Sequence, residues 1–161
     1  MDFDKIYEII NDAATAYRGV IPAECWKDPY MPSRELRNEI SAGVQFFGEE
    51  HKGNLIGIMG KQFKGDVILL RHAYVQTVWH NQGVGSKLLN HLLAGTEYPV
   101  LIGTWSAAQW AVRFYEKHGF KMLTGARKDA LLEKYWSISA RQTETSVVLA
   151  DPGWIADSLS P

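Results

Sequence analysis

The stretch Val67-Ile68-Leu69-Leu70-Arg71-His72-Ala73-Tyr74-Val75 is nearly continuous in apolar character, as a strand covered on both faces must be. It runs straight into a polar, glycine-bearing turn and then a helical stripe of Val84, Leu88, Leu89 and Leu92. Any fold for this chain therefore places other elements above and below this strand and turns sharply at its end. Upstream, residues 44–51 and 54–63 keep a period of two, punctuated by Gly53-Asn54 and Lys64-Gly65-Asp66, so with 66–76 they form an antiparallel meander. Downstream come a strand at about 99–104 and a helix presenting Ala107, Trp110, Ala111, Phe114 and Tyr115. Gly119 sits at a helix C′ position, Phe120-Lys121-Met122-Leu123 begins a strand, 129–136 reads as helix, and 143–150 alternates into a last strand. At the N-terminus, Ile6, Ile9, Ile10, Ala13, Ala14 and Tyr17 share one helical stripe over 4–17, and Ser33 serves as N-cap of a short helix through Ser41. The fold class is α/β in the α+β sense: a mixed, mostly antiparallel central sheet flanked by helices.

With 161 residues, 46% of them hydrophobic, the chain supports one core, read as a domain over 1–150 followed by a tail over 151–161. Seventeen basic against eighteen acidic side chains give a net charge of −1, which argues against a general grip on nucleic acid or on an anionic membrane. The single cysteine, Cys25, excludes an intramolecular disulfide framework and a cysteine-based zinc cluster; no metal is expected. No apolar run approaches the ~20 residues that cross a bilayer, and the reading is a cytoplasmic domain.

The segment Val75-Gln76-Thr77-Val78-Trp79-His80-Asn81-Gln82-Gly83-Val84-Gly85-Ser86-Lys87 is a strand end, a glycine turn and a helix start, in that order. Glycines lacking Cβ let backbone N–H groups close on anionic oxygens, and a helix N-terminus adds unpaired donors. A Walker A loop is excluded because Gly85 is followed by Ser86-Lys87 and no glycine stands at 80; a dinucleotide fingerprint is excluded because its third glycine would fall on Leu88. The bland alternative is an ordinary tight turn. Some 30 residues downstream lies Ala111-Val112-Arg113-Phe114-Tyr115-Glu116-Lys117-His118-Gly119-Phe120, a helix ending in glycine before a strand.

Together the two segments resemble the GNAT superfamily of acetyl-CoA-dependent N-acetyltransferases, over about Val44 to Leu149. The chain departs from the family pattern where His80 stands for the usual Gln or Arg, Thr77 for a common proline and Ala108 for a frequent Asn, and where only Met1-Asp2-Phe3 precedes the first helix. The resemblance implies a GNAT-like fold with acetyl-CoA as co-substrate. It also implies that the backbone of Tyr74, Val75 and Gln76 pairs with the pantetheine arm, and that His80, Asn81, Gln82, Gly83, Val84, Gly85 and Ser86 attend the pyrophosphate. Lys87 is a second phosphate partner or a solvated surface lysine.

Acetyl transfer to an amine needs a donor for an oxyanion and an acid near the departing sulfur. By resemblance Tyr115 is the acid, against the alternative that Phe114 and Tyr115 only fill the core. A phenol near pKa ~10 protonating a thiolate near ~8.5 moves about 2 kcal/mol uphill, small against a chemical barrier. His72, on the same strand face as Tyr74, is the candidate base; Glu49, Glu50 and Glu144 are the other options, and a regular strand turns Arg71 to the opposite side, whereas a bulge near Tyr74 alters that phase. The oxyanion donor is the Val75 N–H. Trp26, Tyr30 and Trp105, with Tyr17 and Met31, are candidate walls of an acceptor pocket. The expected partner is a primary amine of a small molecule or peptide, with no nucleic acid and no membrane, and a homodimer is compatible with the sequence. A non-catalytic acyl-CoA-binding module of the same fold is the alternative reading.

Overall fold

The structure, a computed structural model, describes residues 2–154; residues 155–161, most of the expected tail, lie outside the described residues. It opens with α1 (Phe3–Ala13), whose Asp2 side chain accepts from the Asp4 N–H as a cap, and continues as a 3-10 turn over Ala14–Tyr17. A loop leads to α2 (Ser33–Ser41), followed by β1 (Gln45–His51), β2 (Asn54–Phe63) and β3 (Ile68–Val75). The second half alternates: α3 (Val84–Leu93), β4 (Val100–Trp105), α4 (Gln109–Lys117), β5 (Lys121–Leu123), α5 (Gly125–Tyr135), α6 (Ala140–Glu144) and β6 (Ser146–Ala150). Two local expectations are corrected. Ser33 is the first helical residue, with Pro32 at the cap position and no side-chain cap, and the stretch before β6 coils into α6, capped by Ser139, rather than extending the strand.

The six strands form one sheet in the order β1-β2-β3-β4-β6-β5, antiparallel except for β3 against β4. One face is covered by α3 and α4, through Leu88, Leu89, Leu92 and Val112 on Ile68, Leu70, Ile102 and Leu149. The other is shared by α1 and α2, around Ile6, Ile10 and Leu36, and by α5, around Leu131 and Leu132 on Leu69 and Val148. This two-sided cover explains the apolar run in β3. Among the described residues no helix is long and apolar enough to cross a membrane.

The sheet is not continuous along its length. β3 and β4 pair only at Ile68 with Val100, Leu69 with Leu101 and Leu70 with Ile102. Beyond that point β3 stays with β2 to Val75 while β4 stays with β6 to Trp105, so the two parallel strands part and leave a gap in the middle of the sheet.

Candidate active site

The gap is a cavity of about 140 Å³ that takes its walls from both parted strands, from Tyr115 on α4 and from Trp136 and Gln142 beyond α5. Its floor is shaped by a bulge in β3. The pairing slips between Gly60 opposite Arg71 and Ile58 opposite Tyr74, and His72 takes a left-handed φ of 53°. Leu70, Ala73 and Val75 consequently all face α3 and α4, although an odd step separates Leu70 from the other two. Arg71, which a regular strand would send away, joins His72 on the α2 side, where both meet Glu39. Of the two readings for Arg71, a regular strand or one whose phase a bulge near Tyr74 alters, the structure has the bulge, and His72 stays on the face shared with Tyr74.

Glu39 is the functional neighbour that the sequence reading missed. His72 Nε2 lies 3.0 Å from Glu39 Oε2, and Arg71 reaches the same carboxylate at 3.0 Å while also donating to Gln62 Oε1 at 3.0 Å. Gln62 is itself buried and donates to the Ala42 carbonyl. Burial pushes the Glu39 carboxyl up, but the hydrogen bond and charge of His72 and the charges of Arg71 and Lys64 outweigh it and hold Glu39 below its ordinary range. With Glu39 ionised, the contact fixes His72 with hydrogen on Nε2, which leaves Nδ1 of the neutral ring as an acceptor. Glu49 and Glu144 are otherwise engaged, with Lys87 and Arg141.

At the end of β3 the backbone is turned by pairing parity. The Gln76 N–H donates to the Ile56 carbonyl at 2.9 Å, and alternate residues of an antiparallel pair face their partner, so Tyr74 and Gln76 face β2 while Val75 turns its N–H and C=O to the gap. Of the three residues expected to lend backbone to a substrate arm, only Val75 is so oriented; the assignment to Tyr74 and Gln76 is corrected. His80 Nε2 lies 2.8 Å from the Val75 carbonyl, an acceptor only, so Nε2 carries the hydrogen and the ring is tethered to the strand end. Thr77, where the family favours proline, is fastened through its N–H and hydroxyl to Asp12 Oδ2 of α1 at 2.8 and 3.0 Å.

The glycine turn then delivers α3 with its first turn bare. Asn81 and Gly83 take left-handed φ values of 59° and 79°, no side chain caps the helix, and the ladder starts with the Lys87 N–H on the Gly83 carbonyl at 3.0 Å. The N–H groups of Val84, Gly85 and Ser86 are therefore left for a ligand or water, with no acidic side chain in the turn to oppose an anion. A Cβ on Gly83 would meet nothing within 4 Å, so that glycine serves backbone conformation, whereas a Cβ on Gly85 would touch Phe114 at 3.4 Å. Gln82 bonds back to the Val78 carbonyl, and the Lys87 ammonium is paired with Glu49 of β1, so its charge is not free over the turn. This bare turn and the Val75 N–H fit a diphosphate and an extended arm.

On the acceptor side the structure brings Tyr30 and Trp105 to the cavity, with the Trp105 Nε1–H donating to the Tyr30 hydroxyl at 2.9 Å. Trp26 does not line it; its ring supports Tyr30 from behind at 5.7 Å and carries Arg18 on its other contacts. Met31 is buried with α1 and α2, away from the cavity. Tyr17 and Tyr74 complete the wall. Burial pushes the phenols of Tyr17, Tyr30, Tyr74 and Tyr115 all upward, so each keeps its proton through the physiological range.

A family model described as an acetyltransferase (GNAT) domain matches residues 11–132, most of the chain. The chain belongs to the GNAT acetyltransferase family. No curated protein matches it significantly. Solved GNAT structures share its fold: the PaiA N-acetyltransferase of Thermoplasma acidophilum, in complex with coenzyme A, at 17% identity, TM-score 0.68, covering 93% of this chain and 92% of the other. The ribosomal-protein-S18-alanine N-acetyltransferase of Escherichia coli matches at 18% identity and TM-score 0.65, covering 94% and 87%. A GNAT family acetyltransferase of Elizabethkingia anophelis with acetyl-CoA bound matches at 20% identity and TM-score 0.58, covering 81% and 90%.

Proposed function

We propose that this GNAT domain transfers the acetyl group of acetyl-CoA directly to a primary amine, with Tyr115 as acid, His72 as base and the Val75 N–H as oxyanion donor. Three features support the reading: the bare N-terminal turn of α3, the Val75 backbone turned away from β2, and Tyr115, a buried phenol, among the residues that line the cavity. The N–H groups of Val84, Gly85 and Ser86 would hold the diphosphate, and the acetyl thioester supplies the electrophilic carbonyl. The Val75 N–H donates to the oxygen as it gains negative charge. His72 Nδ1 takes the amine proton, while Glu39 holds the ring in that tautomer and stabilises the imidazolium that results. Tyr115 gives its proton to the departing sulfur. Burial raises the phenol, which makes that transfer harder than for a solvated tyrosine, but a thiolate expelled into the same dry gap is raised too, so the two shifts offset.

An amine of lysine type at pKa ~10.4 is almost wholly protonated at pH 7, about 4.6 kcal/mol from its nucleophilic form, so a fixed acceptor such as Nδ1 matters most for such substrates. Time-dependent release of free thiol from acetyl-CoA, with an amine panel, tests the proposal. Amine-dependent release that is lost in Tyr115→Phe supports it. Tight acetyl-CoA binding without release for any amine would reduce the protein to a coenzyme-binding module.

A further inference from the structure

The largest side chains lining the cavity include the rings of Tyr17, Tyr30, Tyr74 and Trp105. Tyr17 and Tyr30 lie with centroids 5.2 Å apart, Tyr17 meets Tyr74 edge-on at 6.4 Å, and Trp110 stacks on Tyr17 at 5.9 Å and 25°. Trp110, on α4, is 47% exposed, an indole where a surface helix would ordinarily carry a polar residue. The cavity of about 140 Å³ is close to the roughly 150 Å³ that accommodates a benzene ring in a protein interior.

Charge narrows the class further. Among the described residues that line the cavity, the basic groups are Arg71 and His72, and no Asp or Glu is present; both basic groups are already matched by the Glu39 carboxylate, with Gln62 on the guanidinium as well. The buried tyrosines are neutral, and the remaining polar walls, Thr104, Gln142 and Ser146, carry no charge. A second ammonium, as in a polyamine or aminoglycoside, would find no carboxylate here and would be desolvated without a partner. A carboxylate, as in a free amino acid, would have to displace Glu39 from Arg71. A single ammonium on an apolar body suffers neither penalty, and the ring faces attract it before it loses its proton.

We infer that the acceptor is a monoamine bearing an aromatic body, of the arylalkylamine class, seated among Tyr17, Tyr30, Tyr74 and Trp105. This rests on the acetyl-transfer reading above. In the reaction the amine nitrogen bonds to the acetyl carbon as the carbon–sulfur bond breaks; His72 gains the amine proton, Tyr115 supplies one to the sulfur, and solvent exchange restores both. The experiment measures kcat/KM by thiol release for 2-phenylethylamine, tyramine and tryptamine against spermidine, kanamycin, free phenylalanine and an alanine-initiated peptide, with the acetylated product identified by mass spectrometry. Acetyl-CoA affinity is measured in parallel by calorimetry. The arylalkylamines should exceed every other acceptor by at least tenfold, Tyr30→Leu should raise their KM severalfold with acetyl-CoA affinity unchanged, and Gln142→Glu should shift preference toward diamines. Coenzyme binding together with preferred turnover of spermidine, kanamycin, phenylalanine or the peptide overturns the acceptor assignment and leaves the acetyl-transfer reading intact. Failure to bind acetyl-CoA overturns both.

Discussion

The two halves of the gap are made differently. The α3 end is built from main chain: left-handed Asn81 and Gly83, an uncapped helix start and a Val75 backbone turned away from β2 to the gap, all within 13 consecutive residues, 75–87. The acceptor end is built from side chains gathered from the 3-10 turn after α1, the α1–α2 loop, α2, β3, β4 and the segment after α5, with Glu39 meeting His72 from 33 residues away and Trp105 meeting Tyr30 from 75. A main-chain cradle tolerates side-chain variation and binds a constant ligand, whereas a wall of side chains can change residue by residue. One fold thereby keeps its coenzyme and is free to change its acceptor.

The largest effect expected is at Tyr115, which the proposed reaction uses as its acid and not as part of either grip. Tyr115→Phe should lower kcat about a hundredfold or more, the ordinary worth of a general acid, with acetyl-CoA affinity changed less than twofold by calorimetry. Equal kcat in the two proteins would remove the phenol from the mechanism. Next, Glu39→Gln should lower kcat by roughly tenfold or more through loss of the His72 tautomer, again without weakening coenzyme binding. A 15N spectrum of the imidazoles should show hydrogen on Nε2 of His72 in the parent protein and a mixture in the variant; an unchanged tautomer would leave Glu39 with a packing role only.

The main-chain half breaks at Gly83. In Gly83→Val the added Cβ meets nothing within 4 Å, but the residue must hold φ near 79°, at a cost of about 1–2 kcal/mol, so acetyl-CoA affinity should fall by roughly tenfold while the KM for amine stays put. Lys87→Ala should matter least, under threefold in coenzyme affinity, because its ammonium is exposed and already paired with Glu49.

Glu39 also links the site to stability. Its folded carboxyl titrates below the ordinary value of 4.5, so its contribution is present above that value and is lost as pH falls through the lower, folded one. Thermal melts between pH 6 and 3 should therefore drop more steeply in the parent than in Glu39→Gln. Parallel curves would mean that the Arg71–Glu39–His72 cluster contributes nothing to the acid limb.

The same contrast explains what could be read from the sequence. The strands at 54–63 and the helix over 33–41 follow from local periodicity, and the glycine turn announces itself because phosphate recognition through backbone requires adjacent residues. The bulge near Tyr74 stands in the sequence reading only as an alternative to a regular strand, because nothing in Arg71-His72-Ala73 alone decides between the two; the pairing slip against β2 decides it. Glu39 was hidden for a related reason. On α2 it reads as one more polar residue beside Leu36 and Ile40, and only tertiary packing sets it against β3. Trp26 was assigned to the pocket on composition, and the fold puts it one ring behind Tyr30.

In the proposed function, backbone groups on either side of the β3–α3 turn grip the acyl carrier. A 1H–15N titration of the labelled protein with acetyl-CoA reads that grip amide by amide. The amides of Val75, Val84, Gly85 and Ser86 should move together, saturating at one concentration. Saturable binding that shifts amides elsewhere while these four stay still would contradict it.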